Sequence, residues 1–156
     1  MTTKSILLIA VLLLVVGAGC KSGPSLTPNS DPALRKTNEE FAADAKKRHP
    51  YPADVPRGGE AVSRAQVGYD RNVIDVANLS NEDWKHVDVW VNRTHVVHVP
   101  NIEKEAGSAK TISFFMLADA QGRSFPADNN DGASQIRRVE ILRDGALYEV
   151  PVRLAD

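Results

Sequence analysis

The chain has 156 residues, with 19 Lys and Arg against 20 Asp and Glu, a formal net charge of −1. That balance excludes the strongly basic footprint of a nucleic-acid-binding surface, and the length suits one domain with an extension. Cysteine occurs once, at position 20, so neither an internal disulfide nor a thiolate metal cluster can hold the fold together.

Residues 1–20 carry the targeting information. Lys4 supplies a short basic start, Ile6 to Val16 is almost unbroken Ile, Leu and Val, and Gly17-Ala18-Gly19 leads into Cys20. This is the order of a secretory signal: a basic region, an apolar run of about 7–15 residues, then small residues at a cleavage point. The run falls short of the roughly 20 residues a helix needs to cross a bilayer. The segment resembles the type II signal of bacterial lipoproteins, with Gly17 standing three residues before the cysteine where that family usually has Leu or Val. The resemblance implies removal of residues 1–19 and acylation of Cys20 with palmitate-type lipid. It further implies an extracytoplasmic protein anchored to a cell membrane through that lipid.

Residues 21–30 are small, polar and interrupted by Pro24 and Pro28, the composition of a flexible leash. A helix is predicted over about 32–48. Asp31 can cap it, Pro32 suits its first position, and Lys46, Lys47 and Arg48 favour its C-terminal end. His49-Pro50-Tyr51-Pro52 stops it. Leu34, Phe41 and Ala45 form one thin apolar stripe, which fits a helix resting on its own domain or on a partner. The expected layout is a signal over 1–19, a lipidated tether with the helix over 20–58, and a β domain over 59–156.

After Gly58-Gly59 the texture changes to short β-branched runs between turn residues. Strands are predicted at Ala61–Tyr69, Val73–Leu79, His86–Val91, Thr94–Val99, Lys110–Leu117, Arg123–Phe125, Ile136–Arg143 and Ala146–Leu154. This spacing predicts an all-β fold, a small antiparallel sandwich of seven or eight strands. Asp144-Gly145 reads as a type I′ hairpin pairing Arg143 with Ala146, Ile141 with Tyr148 and Val139 with Val150. Arg138, Glu140, Glu149 and Arg153 then share a solvent face, and Pro151 marks an edge. Asp119-Ala120-Gln121-Gly122 reads as a turn leading to Ser124-Phe125. A second hairpin, with Asn92-Arg93 as its loop, places Val87, Val89 and Val91 with Thr94, Val96 and His98. Its other face holds His86, Asp88, Trp90, His95, Val97 and Val99, too apolar for a solvated surface. That face is either covered or used for binding, and Asp88, Trp90, His95, Val97 and Val99 are the candidate binding residues.

The runs Val76-Ala77-Asn78-Leu79-Ser80, Trp84, Val87-Asp88-Val89-Trp90-Val91 and Leu117-Ala118-Asp119-Ala120-Gln121-Gly122 resemble small immunoglobulin-like sandwich modules of secreted bacterial proteins. The resemblance spans roughly residues 65–154 and implies the fold, which does not fix the function. The chain lacks the cysteine pair of antibody-type domains.

Chemistry offers less. His86, His95 and Asp88 share a face and are metal ligands by type. His86 and His95, however, lie about 13 Å apart along the ladder, so no metal is expected. Asp128-Asn129-Asn130-Asp131-Gly132 clusters hard oxygens but fails the EF-hand register, which would place Ala127 first and Arg138 twelfth. No nucleophile elbow, zinc-protease motif or phosphate loop is present, and Ser113, Ser124 and Ser134 lack a nucleophile's context. The expectation is a non-catalytic envelope lipoprotein without cofactor, whose sandwich is a binding or structural module for an envelope protein or glycan. The competing expectations are a small-ligand or metal-binding lipoprotein using Trp90, His95 and His86, and an envelope hydrolase.

Overall fold

A computed structural model describes residues 31–104, 109–127 and 135–155. The signal, Cys20, the leash and the Asp128–Gly132 run therefore lie outside the described residues. The described chain forms two packed sheets. Its strands are β1 (Arg57–Glu60), β2 (Ser63–Gly68), β3 (Val73–Asn78), β4 (Trp84–Val91), β5 (His95–Ile102), β6 (Ala109–Ser113), β7 (Val139–Arg143), β8 (Ala146–Val150) and β9 (Val152–Leu154). One sheet has the order β1-β8-β7-β4-β5 and the other β6-β3-β2-β9. Most pairs are antiparallel, but β1 runs parallel to β8 and β9 parallel to β2.

Alternation along the strands builds the core between the sheets. Val87, Val89, Val97, Val99, Val139 and Ile141 from the five-stranded sheet meet Ala65, Val67, Ile74, Val76 and Ile112 from the other, all buried. With no disulfide, this apolar contact is the main stabilising term.

The Asp144-Gly145 hairpin has the expected register, Arg143 to Ala146, Ile141 to Tyr148 and Val139 to Val150. Asp144 and Gly145 take φ values of 49° and 73°. Pro151 is not an edge position of this sheet, because β1 lies beyond β8. It is where the chain leaves one sheet for the other, β8 ending and β9 beginning on either side of it. Lacking an N–H, Pro151 still accepts through its carbonyl from Ala65 N–H at 2.8 Å. Strand β1 was not anticipated, since Arg57-Gly58-Gly59-Glu60 has no β-formers. Its register with β8 is irregular at Gly58, which packs so close to the Tyr148 ring that a Cβ would come within 2.1 Å of a ring carbon.

Other boundaries shift. The predicted strand through Leu117 ends at Ser113, whose hydroxyl caps a 3-10 turn over Phe114–Met116. Arg123–Phe125 supplies only a bridge, Ala118 to Ser124, beyond the Asp119–Gly122 turn. That turn is present, closed by Gly122 N–H to Asp119 O at 2.9 Å.

The helix is shorter than expected. Asp31 caps only a 3-10 turn over Pro32–Leu34. The helix α1 (Asn38–Arg48) starts afresh from Thr37, which forms a reciprocal capping box with Glu40. It packs on the sandwich: Leu34 and Phe41 join the main core, while Ala45 joins a second cluster with Trp90, Val96, Ala118 and Leu147. Asp31 is held by Lys110 of β6. Residues 31–55 thus form a strap that begins at the β5 edge, where Leu34 and Phe41 enter the main core, and continues over the outer face of the five-stranded sheet through Ala45, Tyr51 and Val55.

Candidate functional site

The strap organises a site around Trp90, which is buried on the outer face of β4. His49 and Tyr51, from the segment ending the helix, meet its indole edge-on at 5.1 and 5.2 Å between ring centroids. Glu140 of β7 is the cross-strand neighbour of Trp90 and is only 4% exposed. Its place among Arg138, Glu149 and Arg153 on a solvent face is therefore corrected: Glu149 and Arg153 are exposed, Glu140 is not. The difference is made by the strap and by two arginines. The Glu140 carboxylate accepts from Tyr51 OH at 2.8 Å, Arg57 Nη1 at 3.0 Å and Arg93 Nε at 3.1 Å. Burial alone would raise its pKa. The hydrogen bonds from Arg93 and Tyr51, with the charges of Arg93 and Arg57, outweigh that and hold it below the usual carboxylate value. Both guanidinium groups also lie over the Tyr51 ring, at 5.8 and 5.3 Å.

Arg93 belongs to the turn between β4 and β5, where the sequence reading needs correction. Thr94 N–H does bond Val91 O at 3.1 Å, so the chain reverses at Asn92-Arg93 as expected. The ladder, however, begins at Val91 with His95, leaving Thr94 as an extra residue. This slip of one residue turns every β5 side chain over. Val97 and Val99 face the core, opposite Val89 and Val87, and Val96 rather than His95 lies across from Trp90.

The candidate face of Asp88, Trp90, His95, Val97 and Val99 is consequently divided between the two sides of the sheet. Asp88 and Trp90 point outward under the strap, and His95, Val97 and Val99 point inward. Asp88 is shared by Arg48 Nε and His98 Nδ1, each 2.7 Å from Oδ1, which ties α1 to the sheet. His86 stacks on His98 at 5.9 Å, whereas His95 lies edge-on to Phe125 at 5.0 Å. His86, His95 and Asp88 thus do not converge. Among the described residues no group of three or more His, Cys, Asp or Glu is arranged to hold a metal ion.

Beside the Glu140 network the surface opens into a cleft of about 640 Å³ lined by Asn92, Arg93, Thr94, Arg137 and Arg138. Asn92 builds it. Its Oδ1 accepts from the backbone N–H of Arg137 at 2.8 Å and of Arg138 at 3.2 Å, and its Nδ2 donates to Gln135 O at 2.9 Å. A neighbouring cleft of about 280 Å³ shares Arg93 and Arg138 but also carries Glu60 and Glu149. No sequence signal joined Tyr51, Arg57, Arg93, Arg138 and Glu140, which come from the strap, β1, a turn and the start of β7.

Fold and site together define a small two-sheet β-sandwich, strapped on one face by its own N-terminal segment and carrying an arginine-lined cleft at one hairpin. No protein-family profile, no curated protein and no solved structure matches this chain.

Proposed function

We propose that this chain is a lipid-anchored, non-catalytic binding module of the bacterial cell envelope. The observation that carries the reading is the ordered signal of Lys4, Ile6 to Val16 and Gly17-Ala18-Gly19 ending at Cys20, the chain's only cysteine. A leash over residues 21–30 would reach at most about 35 Å when extended, keeping the domain near the membrane. The immunoglobulin-like resemblance accords with an interaction scaffold. The strap covers the Trp90 face, and the open cleft of Asn92, Arg93, Arg137 and Arg138 is one surface a partner could engage. The anchor is assigned to lipid on Cys20 because of the signal that leads into it. Firm attachment would need more than one acyl chain, since a single chain binds only weakly.

Detergent phase partitioning tests the reading. The wild-type protein should enter the detergent phase, and Cys20→Ser should leave it aqueous or unprocessed. A wild-type protein that stays aqueous, with Cys20 unmodified by mass spectrometry, would overturn the proposal.

A further inference from the structure

We propose that residues 31–55 form a releasable strap: protonation of the carboxylates that tie it to the sandwich frees it while the two sheets stay folded. Asp31 meets Lys110 of β6, Arg48 meets Asp88 of β4, and Tyr51 donates to Glu140 of β7. Each of these contacts has a carboxylate on one side. Tyr51 also accepts from Arg57 at 2.8 Å, and His49 Nε2 stands 3.5 Å from Ala118 O. The apolar hold is thin, running from Leu34 through Phe41 and Ala45 to Tyr51 and Val55. At 11 residues, α1 is too short to persist as a helix once detached.

Cations crowd each carboxylate. Asp88 faces Arg48 of α1 and His98 of β5, on which His86 stacks, and Arg48 in turn is bonded to Asp44, which also pairs with Lys36. Glu140 faces Tyr51, Arg57 and Arg93, with Arg138, Glu60 and Glu149 lining the adjoining cleft. Asp31 has Arg35 near it as well as Lys110. A neutral carboxyl leaves Arg48 against a protonated His98, and Arg57 against Arg93, so that ties become repulsions. Asp31 is held below the ordinary carboxylate value by the bond from Lys110, and Asp44, which burial alone would raise, by the charges of Arg48 and Lys36. A carboxylate lowered on folding contributes stability that is complete above its unfolded value of about 4 and is lost as pH falls through the folded one.

The sandwich has no matching weakness. Among the described residues the core between the sheets contains no acidic or basic side chain. The other buried carboxylate, Asp119, is bonded within its own turn by the backbone and side chain of Arg123. Strands β3 and β4 are each paired on both sides within their sheets and keep those bonds when the strap leaves. The consequence rests on the anchoring reading: once freed, residues 21–55 span about 120 Å when extended, against about 35 Å for residues 21–30 alone. The strap is then a stored length of tether.

The release itself is measured without a membrane, so its failure is distinct from failure of the anchor. Hydrogen exchange of the full chain in neutral detergent, read by mass spectrometry at about pH 7 and about pH 3.5, follows strap and sheets separately once rates are corrected for intrinsic pH dependence. Peptides over residues 38–48 should exchange about tenfold or more faster in acid, while β3 and β4 keep their protection and neutral pH restores the strap. Asp31→Asn keeps the cap on Ala33 N–H but loses the charge facing Lys110, touches no core residue, and should raise the pH at which the strap opens. Unchanged protection of residues 38–48 in acid would overturn the proposal. Loss of that protection in step with β4 would do the same, as would an Asp31→Asn strap that opens at the wild-type pH.

Discussion

Asp144-Gly145 and Asn92-Arg93 both reverse a strand through two residues of positive φ, 49° and 73° in the first, 50° and 63° in the second. Their ladders differ. Arg143 pairs directly with Ala146, while Val91 pairs with His95 and leaves Thr94 unpaired. Turn chemistry therefore decides where a chain reverses, and packing decides the register that follows. The tight hairpin is only a turn. The bulged one has work beyond the turn: Asn92 reaches across to residues 135–138 and Arg93 to Glu140. The extra residue lets the turn serve the cleft while β5 keeps Val97 and Val99 in the core.

The largest expected effects come from the two sides of the sheet these hairpins share. Ile141 faces the inner core and Trp90 the strap, and both are at most 1% exposed. Trp90→Ala should cost about 3–5 kcal/mol and Ile141→Ala about 2–5 kcal/mol in urea unfolding. A cost below about 1 kcal/mol for Trp90→Ala would mean that the strap does not seal the outer face in solution.

The turns themselves should respond less, and unequally. A Cβ at Gly145 meets nothing within 4 Å, so Gly145→Ala adds only backbone strain, about 1–2 kcal/mol. Asn92→Ala keeps a strained backbone and also removes the acceptor for the exposed Arg137 N–H and the part-buried Arg138 N–H, each bond worth about 0.5–1.5 kcal/mol. Equilibrium denaturation should rank Asn92→Ala as the more damaging in its loss of contacts, with the m-value unchanged. A neutral Asn92→Ala would show that the turn and the start of β7 are not coupled.

Much of the sandwich was legible because its strands alternate cleanly and Asp-Gly is an unambiguous turn signal. The β5 parity was also within reach: His95, Val97 and Val99 are a more apolar set than Thr94, Val96 and His98, and so the better match to Val87, Val89 and Val91. The capping box of Thr37 and Glu40 is a readable helix start, but Asp31-Pro32 offers an earlier one by the same rules. The Glu140 network was not legible. Glu140 sits where alternation predicts solvent, and its partners Tyr51, Arg57 and Arg93 lie 89, 83 and 47 residues away. No local pattern encodes that convergence.

The smallest effect tests the register itself, through His95. In the bulged hairpin His95 faces inward, half-buried, edge-on to Phe125 and with Nδ1 at 3.0 Å from Thr94 Oγ1. Burial pushes its pKa below the ordinary value, with Asp119 pulling upward and His49 and Arg123 adding to the lowering. The folded protein then binds this proton less readily than the unfolded chain does. The stability associated with a neutral His95 is complete above the unfolded value of about 6.5 and declines as pH falls below it toward the folded pKa. The lowered carboxylates Asp31, Asp44, Asp119 and Glu140 lose their contribution in a separate, more acidic window, below about 4.5. Urea midpoints should therefore fall between pH 7.5 and 5.5 in the wild type, and fall less in His95→Gln. Below about pH 4.5 the two proteins should decline together. With a two-residue loop His95 would take the buried place of Val96 opposite Trp90 and lose its contact with Phe125. Equal slopes between pH 7.5 and 5.5 would show that His95 is not buried in solution as the structure places it.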